Sequence, residues 1–297
     1  ISFDISILEI LLPLVRGGRL VVAGGEATRD PEELGRLLDA VGATVMQATP
    51  ATWRMMVAAG WAGAEGLKIL CGGEALPGDL AEALLERGAS VWNMYGPTET
   101  TIWSAVHRVH PPCHPTRPQP LGRPIANTQL HVLDGDLQPV PAGAPGELFI
   151  GGLGLARGYV GQPELTRERF VPNPLAHPSS PRLYRTGDRV RFRADGSLEY
   201  LGRTDHQVKL RGFRIELGEI DSALRAHPAV SDAAAVLRRG VPGEEHLAAF
   251  VTLRSGKETT GGDLGEHLGR FLPEYMIPGE IRVLETLPLT PNDKVDR

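Results

Sequence analysis

The sequence predicts an α/β protein: part of a large domain, made of a parallel α/β sheet unit and a β-rich, barrel-like unit, followed by a small α+β domain. Three observations predict it. Up to about residue 110, short apolar runs alternate with segments of helical periodicity, the pattern of a parallel sheet covered by helices. From Pro111 onward Pro and Gly become dense and short β-type runs take over. Beyond Gly202-Arg203-Thr204-Asp205, helix and strand patterns return in a stretch the size of a separate domain. The boundaries fall at 1–115, 116–204 and 205–297.

In the first unit, Ser6 to Val15 is apolar and reads as a helix reaching Gly17-Gly18, with Leu20-Val21-Val22 as a short buried strand. Asp30-Pro31-Glu32-Glu33 is a helix start: an Asp cap, Pro at the first position and acids in the first turn. Leu34, Leu37, Leu38 and Val41 then share one face. Thr44 to Ala48 is a strand, Ala51 to Ala59 a helix and Leu67 to Cys71 a strand. Asp79 caps the next helix, which carries Leu80, Leu84 and Leu85 and stops at Gly88. A strand over Ala89 to Trp92 leads into a loop from Asn93 to Thr101.

The second unit holds strands at Gln129–Leu133, Glu147–Ile150, Val190–Phe192 and Leu198–Leu201, with a hairpin turn at Asp195-Gly196 and a short helix at Pro163–Phe170. The third holds helices at Glu216–Ala226 and Asp263–Phe271, and strands at Val230–Leu237, Leu247–Leu253 and Ile281–Leu284.

The net charge of −5 gives no electrostatic pull toward nucleic acid or an anionic membrane. Only Cys71 and Cys113 occur, so no disulfide framework or cysteine metal site is implied, and a reducing, cytoplasmic setting is expected. No apolar run approaches the ~18 residues of a membrane span. The chain opens at Ile1 inside a patterned segment and stops abruptly after Lys294-Val295-Asp296-Arg297, as a fragment would.

The loop Asn93-Met94-Tyr95-Gly96-Pro97-Thr98-Glu99-Thr100-Thr101 follows a strand, and ligands of α/β sheets gather beyond the carboxyl ends of strands. It offers a ring, a Gly-Pro turn, hydroxyls and one carboxylate suited to a hard cation. Alone, it is equally well a polar turn. Its company is more telling. The chain carries, in order, Phe3-Asp4-Ile5-Ser6, this loop, Gly146-Glu147-Leu148 through Ala156-Arg157-Gly158-Tyr159, and Tyr184-Arg185-Thr186-Gly187-Asp188. Gly202 to Glu219, Leu272-Pro273-Glu274-Tyr275-Met276-Ile277-Pro278 and Asn292-Asp293-Lys294-Val295-Asp296-Arg297 follow. In these motifs the chain resembles the adenylation domains of nonribosomal peptide synthetases, within the adenylate-forming superfamily.

The resemblance implies activation of an amino acid with ATP and Mg2+, then transfer to the phosphopantetheine thiol of a carrier protein. It places Tyr95 on adenine, with Asn93 and the Gly72-Gly73-Glu74 turn bordering the base. Thr98 meets phosphate, Glu99 binds magnesium, Asp188 holds the ribose hydroxyls and Arg203 touches the nucleotide. Lys294 reaches the substrate carboxylate and α-phosphate, although Asp293 replaces the glycine usual before it. Asp205 is the hinge of the mobile C-terminal domain, which also presents the loop of Lys209, Leu210, Arg211 and Gly212 to the pantetheine arm.

By the same resemblance Asp4 pairs with the substrate ammonium group, although its position before an apolar run also suits a helix cap. Ile5, Leu8, Thr52, Leu70, Gly72, Met94, Ile102 and Trp103 form the pocket wall. The wall holds no second charge and several bulky groups, close to the family's glycine-selecting pattern, so glycine is expected, with alanine or another small amino acid next. The Ser/Thr/Gly-rich phosphate loop of the family is not found, and this stretch alone is expected to be inactive. A carrier domain is expected downstream and a condensation domain upstream. The competing expectations are an acyl-CoA or aryl-acid ligase of the same superfamily, and a non-catalytic carrier-docking remnant.

Overall fold

The computed structural model describes residues 3–175, 180–205, 207–238 and 245–288. They form two compact units, 1–204 and 205–297.

The first unit begins with helix α1 (Ile5–Val15). None of its residues is buried, and Leu11, Leu14 and Val15 are 50%, 56% and 76% exposed. The short strand expected at Leu20–Val22 does not form. Among the described residues no strand pairs with this stretch, and Val22 is 85% exposed, so the apolar pattern meets no surface to bury it. Helix α2 (Pro31–Val41) starts as its sequence dictates: the Asp30 carboxylate accepts from the amides of Glu32 and Glu33, and Gly42 closes the helix in a left-handed conformation.

Then come β1 (Val45–Ala48), α3 (Pro50–Ala58), β2 (Lys68–Gly72), α4 (Gly78–Leu85) and β3 (Ser90–Tyr95). The three strands are parallel neighbours, and β4 (Ala105–Arg108) and β5 (Arg123–Pro124) continue the sheet antiparallel. The helices cover it with Leu34, Leu38, Trp53, Met56, Leu80 and Leu84 against Ile69, Cys71 and Val91. Two expectations are corrected here. Pro77, not Asp79, occupies the cap of α4, and the helix ends at Leu85 rather than running to Gly88. Asp79 lies in the first turn and pairs instead with Arg54 at 3.1 Å. The strand expected to end at Trp92 runs on through Asn93 and Met94 to Tyr95, because the backbone of β4 pairs with all three.

Gly78 opens α4 against the segment at His114, and a Cβ there would lie 1.9 Å from the His114 carbonyl oxygen. Gly78→Ala is therefore expected to cost about 1–3 kcal/mol by overpacking, read as a lowered denaturation midpoint.

The β-rich stretch contains β6 (Thr128–Leu133), β7 (Gly146–Gly152), α5 (Pro163–Arg169), β8 (Phe170–Pro172), β9 (Arg182–Phe192) and β10 (Leu198–Arg203). Its antiparallel sheet runs β10-β9-β7-β6, with β8 on β9. Leu148, Ile150, Val190 and Leu198 share one core with Tyr95 and Ala105, so this sheet is packed directly against the end of β3.

The second unit has β11 (Gln207–Leu210), β12 (Phe213–Glu216), α6 (Leu217–Arg225), β13 (Val230–Arg238), β14 (His246–Leu253), α7 (Gly261–Leu268) and β15 (Glu280–Val283). A three-stranded sheet, β13-β14-β15, packs Ala233, Ala235, Ala249 and Val251 against Ile220, Leu224, Leu264 and Leu268 of the two helices. Helix α7 begins at Gly261, earlier than expected, because Thr260 and Asp263 form a reciprocal capping box. No helix among the described residues is long and apolar enough to cross a membrane.

Candidate active site

The parallel strands end side by side: in register, Gln47 lies beside Leu70, and Gly72 beside Met94. The crevice beyond these carboxyl ends is where an α/β sheet binds ligands. The chain after β3 is held there by close approaches. A Cβ at Gly96 would sit 2.4 Å from the Ile102 carbonyl oxygen, so only glycine fits. Thr101 and Ile102 both take left-handed backbone, with φ of 66° and 71°. For Ile, branched at Cβ, this conformation is strained and persists only where the surroundings enforce it. The Thr101 hydroxyl supplies part of that hold by donating to the Gly154 carbonyl at 2.6 Å.

Within the loop Thr98 is exposed, whereas Thr100 is buried and bonds Ser104 at 2.6 Å. Thr98 thus presents a hydroxyl outward and Thr100 does not. The Glu99 carboxylate accepts from the Tyr159 hydroxyl at 2.6 Å, and its carbonyl accepts from Ala156 at 2.8 Å. Burial, and then the Glu99 carboxylate, pushes the Tyr159 hydroxyl far above the ordinary tyrosine value, so it stays a donor. The Glu99 side chain is half-buried, with the Tyr159 hydroxyl as one of its partners. Among the described residues no group of three or more His, Cys, Asp or Glu side chains could hold a metal. One carboxylate completed by substrate phosphates is a normal arrangement for magnesium.

Asp188 is the best-defended carboxylate of the unit, only 3% exposed. Its Oδ1 accepts from Arg203 at 2.7 Å and its Oδ2 from the Tyr95 hydroxyl at 2.5 Å. Arg203 also donates to the Thr186 carbonyl at 2.9 Å, and Thr204 bonds the Gly187 carbonyl through both its amide and its hydroxyl. Tyr95 is 5% exposed; burial, then Asp188, raises its hydroxyl well above the ordinary tyrosine value. The ring of Tyr95 is packed, and both oxygens of Asp188 are taken by the protein itself. Asn93 is likewise turned to internal work: it is 2% exposed, and its amide donates to the Pro120 carbonyl at 2.8 Å.

The pocket wall gathers around Gly72. A Cβ there would lie 2.3 Å from the Trp103 ring and 2.8 Å from the Met94 carbonyl oxygen, so the indole lies directly over the Gly72 backbone. Trp103 is fixed by Gln47, whose Oε1 accepts the indole N–H at 2.9 Å. The amide of Gln47 donates in turn to the Ile5 carbonyl at 3.1 Å, joining Trp103 to the first turn of α1. Asp4 stands at the cap position of that helix, but its carboxylate caps nothing and takes no hydrogen bond or ion pair among the described residues. The hydroxyl of Thr52 meets only that of Thr49, at 3.5 Å, and no described bond joins it to the other wall residues. Leu8, Leu70, Met94 and Ile102 are half-buried.

In the second unit the expected Lys209-to-Gly212 loop is a β-hairpin. Lys209 and Leu210 lie in β11, and Arg211-Gly212 form its two-residue turn with φ of 52° and 84°. Phe213, just after the turn, stacks on Tyr275 with ring centroids 4.0 Å apart. The Asp205 carboxylate accepts from the Gln207 amide at 3.3 Å. Lys294 and Asp293 lie outside the described residues.

The AMP-binding enzyme family model matches residues 1–160, more than half of the chain, and the model of the AMP-binding enzyme C-terminal domain matches residues 219–294. The chain belongs to the AMP-binding enzyme family. It is 49% identical to a dimodular nonribosomal peptide synthase of Bacillus subtilis, over the whole of this chain and 12% of that protein. Against a phosphinothricin tripeptide synthetase, PhsC, of Streptomyces viridochromogenes it is 45% identical over the whole of this chain and 27% of that protein. The chain thus spans well under a third of these relatives.

Two solved structures resemble this AMP-binding enzyme chain over 99% of its length. A four-domain nonribosomal peptide synthetase bound to AMP and glycine is 46% identical, with a TM-score of 0.64 over 22% of that chain. The Vibrio cholerae adenylation domain AlmE, in complex with glycyl-adenosine-5'-phosphate, is 27% identical, with a TM-score of 0.86 over 56% of that chain. The mixed α/β architecture expected from the sequence is the one these adenylation domains share.

Sequence reasoning missed two residues of this AMP-binding enzyme, Gln47 and Tyr159, as members of the site. Gln47 is a polar residue within an apolar strand, and a polar side chain at 7% exposure needs a partner, which was the available signal. Tyr159 stood in the sequence only as the end of a motif, and its pairing with Glu99, sixty positions away, left no local signal.

Proposed function

We propose that this chain is the amino-acid-activating part of a longer nonribosomal peptide synthetase, that it forms an aminoacyl adenylate from ATP and a small amino acid, glycine first, and that it passes the acyl group to a carrier protein. The single observation that carries the substrate is the Trp103 indole lying over Gly72 and locked by Gln47, which closes the wall where a side chain would extend. The Asp4 carboxylate, which meets no donor among the described residues, supports an amino acid over an aryl or fatty acid, since it suits an ammonium group. That two structural relatives carry glycine or a glycyl group supports the same choice.

In the first step a carboxylate oxygen of the amino acid attacks the α-phosphorus of ATP and pyrophosphate leaves. In the second the thiolate of the phosphopantetheine arm attacks the acyl carbonyl and AMP leaves. Bringing a carboxylate to a phosphate joins two anions, and placed positive charge lowers that barrier. Lys294 is proposed for this role. Glu99 would hold magnesium, which neutralises phosphate charge when bound, while Thr98 offers its outward hydroxyl to phosphate. Asp188 takes the ribose diol, with Tyr95, Asn93 and Gly72-Gly73-Glu74 around the base and Arg203 near the nucleotide. Asp205 serves as the hinge, and the Arg211-Gly212 turn, flanked by Lys209, as the surface the pantetheine arm passes.

Amino-acid-dependent ATP–pyrophosphate exchange over an amino-acid panel, on the synthetase that carries this chain, tests the proposal; this chain alone is expected to give little or none. Glycine should give the strongest exchange; strongest exchange with a large or charged amino acid would overturn the substrate. Tyr159→Phe, which removes the Tyr159 hydroxyl from Glu99, is expected to shift the magnesium titration of exchange by a few-fold and leave the KM for glycine unchanged, about 1 kcal/mol for one hydrogen bond.

A further inference from the structure

Residues 155–159, beyond β7, belong to no helix or strand. A backbone of that kind keeps one shape only where other groups take its carbonyls and amides. Arg182 of β9 does this with both arms of its fork: the guanidinium donates to the Arg157 carbonyl at 3.0 Å and to the Ala156 carbonyl at 3.1 Å. Thr166 of α5 accepts from the Tyr159 amide at 2.9 Å. The segment so held lies against the loop after β3, where a Cβ at Gly154 would sit 2.7 Å from the Thr100 carbonyl oxygen. Glu99 stands there on one 3₁₀ turn, Thr98–Thr100, and a helix that short takes its stability from what packs on it. Two links arrive from the segment. The Ala156 amide donates to the Glu99 carbonyl at 2.8 Å, and the Tyr159 hydroxyl to the Glu99 carboxylate at 2.6 Å. Arg182 reaches both. It holds the residue whose amide meets Glu99, and its guanidinium lies 5.4 Å from the centre of the Phe170 ring, which packs edge-on against the Tyr159 ring at 5.8 Å.

We propose that Arg182 is a positioning residue of the active site: through residues 156–159 it fixes where the Glu99 carboxylate stands. Its consequence for magnesium rests on the proposed role of Glu99. A carboxylate held both at its backbone and at its oxygen offers a cation one position, and order present beforehand is not a cost of binding. Without the fork, the Ala156 and Arg157 carbonyls lose their donor, the link to the Glu99 backbone slackens, and the carboxylate meets the cation less well. Lysine is no substitute. Its ammonium is a point charge on a flexible stem, which keeps an attraction to the Phe170 ring but does not hold two carbonyls in one plane.

Amide hydrogen exchange read by mass spectrometry, on the synthetase that carries this chain, tests the clamp itself. Arg182→Met should speed exchange by about tenfold in peptides spanning 98–103 and 154–159 and leave the β7 peptide, 146–152, at the wild-type rate. Arg182→Lys should fall between the two. Amino-acid-dependent pyrophosphate exchange against magnesium concentration reads the consequence. Glu99→Gln and Arg182→Met should each raise the magnesium needed for half-maximal rate, the second by about tenfold for two lost hydrogen bonds, with the KM for the amino acid unchanged. Combined, they should raise it no further than Glu99→Gln does, because both act on one carboxylate. Wild-type amide exchange at 98–103 in Arg182→Met would overturn the clamp. So would a magnesium dependence that Glu99→Gln moves and Arg182→Met does not, or effects of the two that add in full. If Glu99→Gln itself leaves the magnesium dependence unmoved, the magnesium role of Glu99 is wrong, and the amide exchange alone decides the clamp. Should Arg182→Met fail to fold, Arg182→Lys carries both readouts, with the same outcomes at smaller amplitude.

Discussion

Asp4→Asn is expected to lower kcat/KM for the amino acid by about 30- to 150-fold, while the KM for ATP and the melting temperature hardly change. The first figure is the loss of one partner from a desolvated, hydrogen-bonded charge pair, about 2–3 kcal/mol at a site that is only half-buried. The second follows from what Asp4 does not do. Its carboxylate neither caps α1 nor meets any described donor, so the fold has nothing to lose by its neutralisation beyond about 0.5 kcal/mol. On the proposed reading its partner is the ammonium group of the amino acid. Exchange measured against amino-acid concentration, beside a thermal melt, separates the two outcomes. A fallen melting temperature with unchanged amino-acid dependence would make Asp4 structural.

The parts of this molecule legible in sequence are those decided locally. The start of α2 is written in Asp30-Pro31-Glu32-Glu33, and the structure builds that cap from those residues alone. The Asp79 cap failed because the helix starts one residue earlier, at Gly78, which lies tight against the His114 carbonyl, so Asp79 falls inside the first turn. Leu20–Val22 failed for the opposite reason: its composition suits a strand, but no described strand lies beside it. The hairpin at Arg211-Gly212 carries no Asn-Gly or Asp-Gly signal, and Arg at φ 52° is a residue that only its context can hold there.

The site follows the same division. Motif order located Tyr95, Glu99, Asp188 and Arg203, and the structure brings these into two hydrogen-bonded groups, with Tyr159 completing one of them. What sequence could not supply is who holds whom. A buried Gln47 reads as an irregularity in an apolar strand until Trp103 and Ile5 are seen on either side of it.

That link decides how the pocket should be opened. Trp103→Leu removes the indole that lies over Gly72, and the ratio of alanine to glycine in pyrophosphate exchange is expected to rise by about 10- to 100-fold. One methylene in an apolar pocket is worth about 1–3 kcal/mol of discrimination. The single substitution also orphans Oε1 of Gln47, a buried acceptor that then costs about 1–3 kcal/mol of stability. Adding Gln47→Leu removes the orphan, so the double variant should melt higher than the sum of the single effects predicts while keeping the widened preference. The two readouts are independent. Specificity follows the volume over Gly72, whereas stability follows the satisfaction of Gln47. If the double variant recovers stability but the alanine-to-glycine ratio stays at the wild-type value, the indole is a structural pillar and the substrate's side chain points elsewhere.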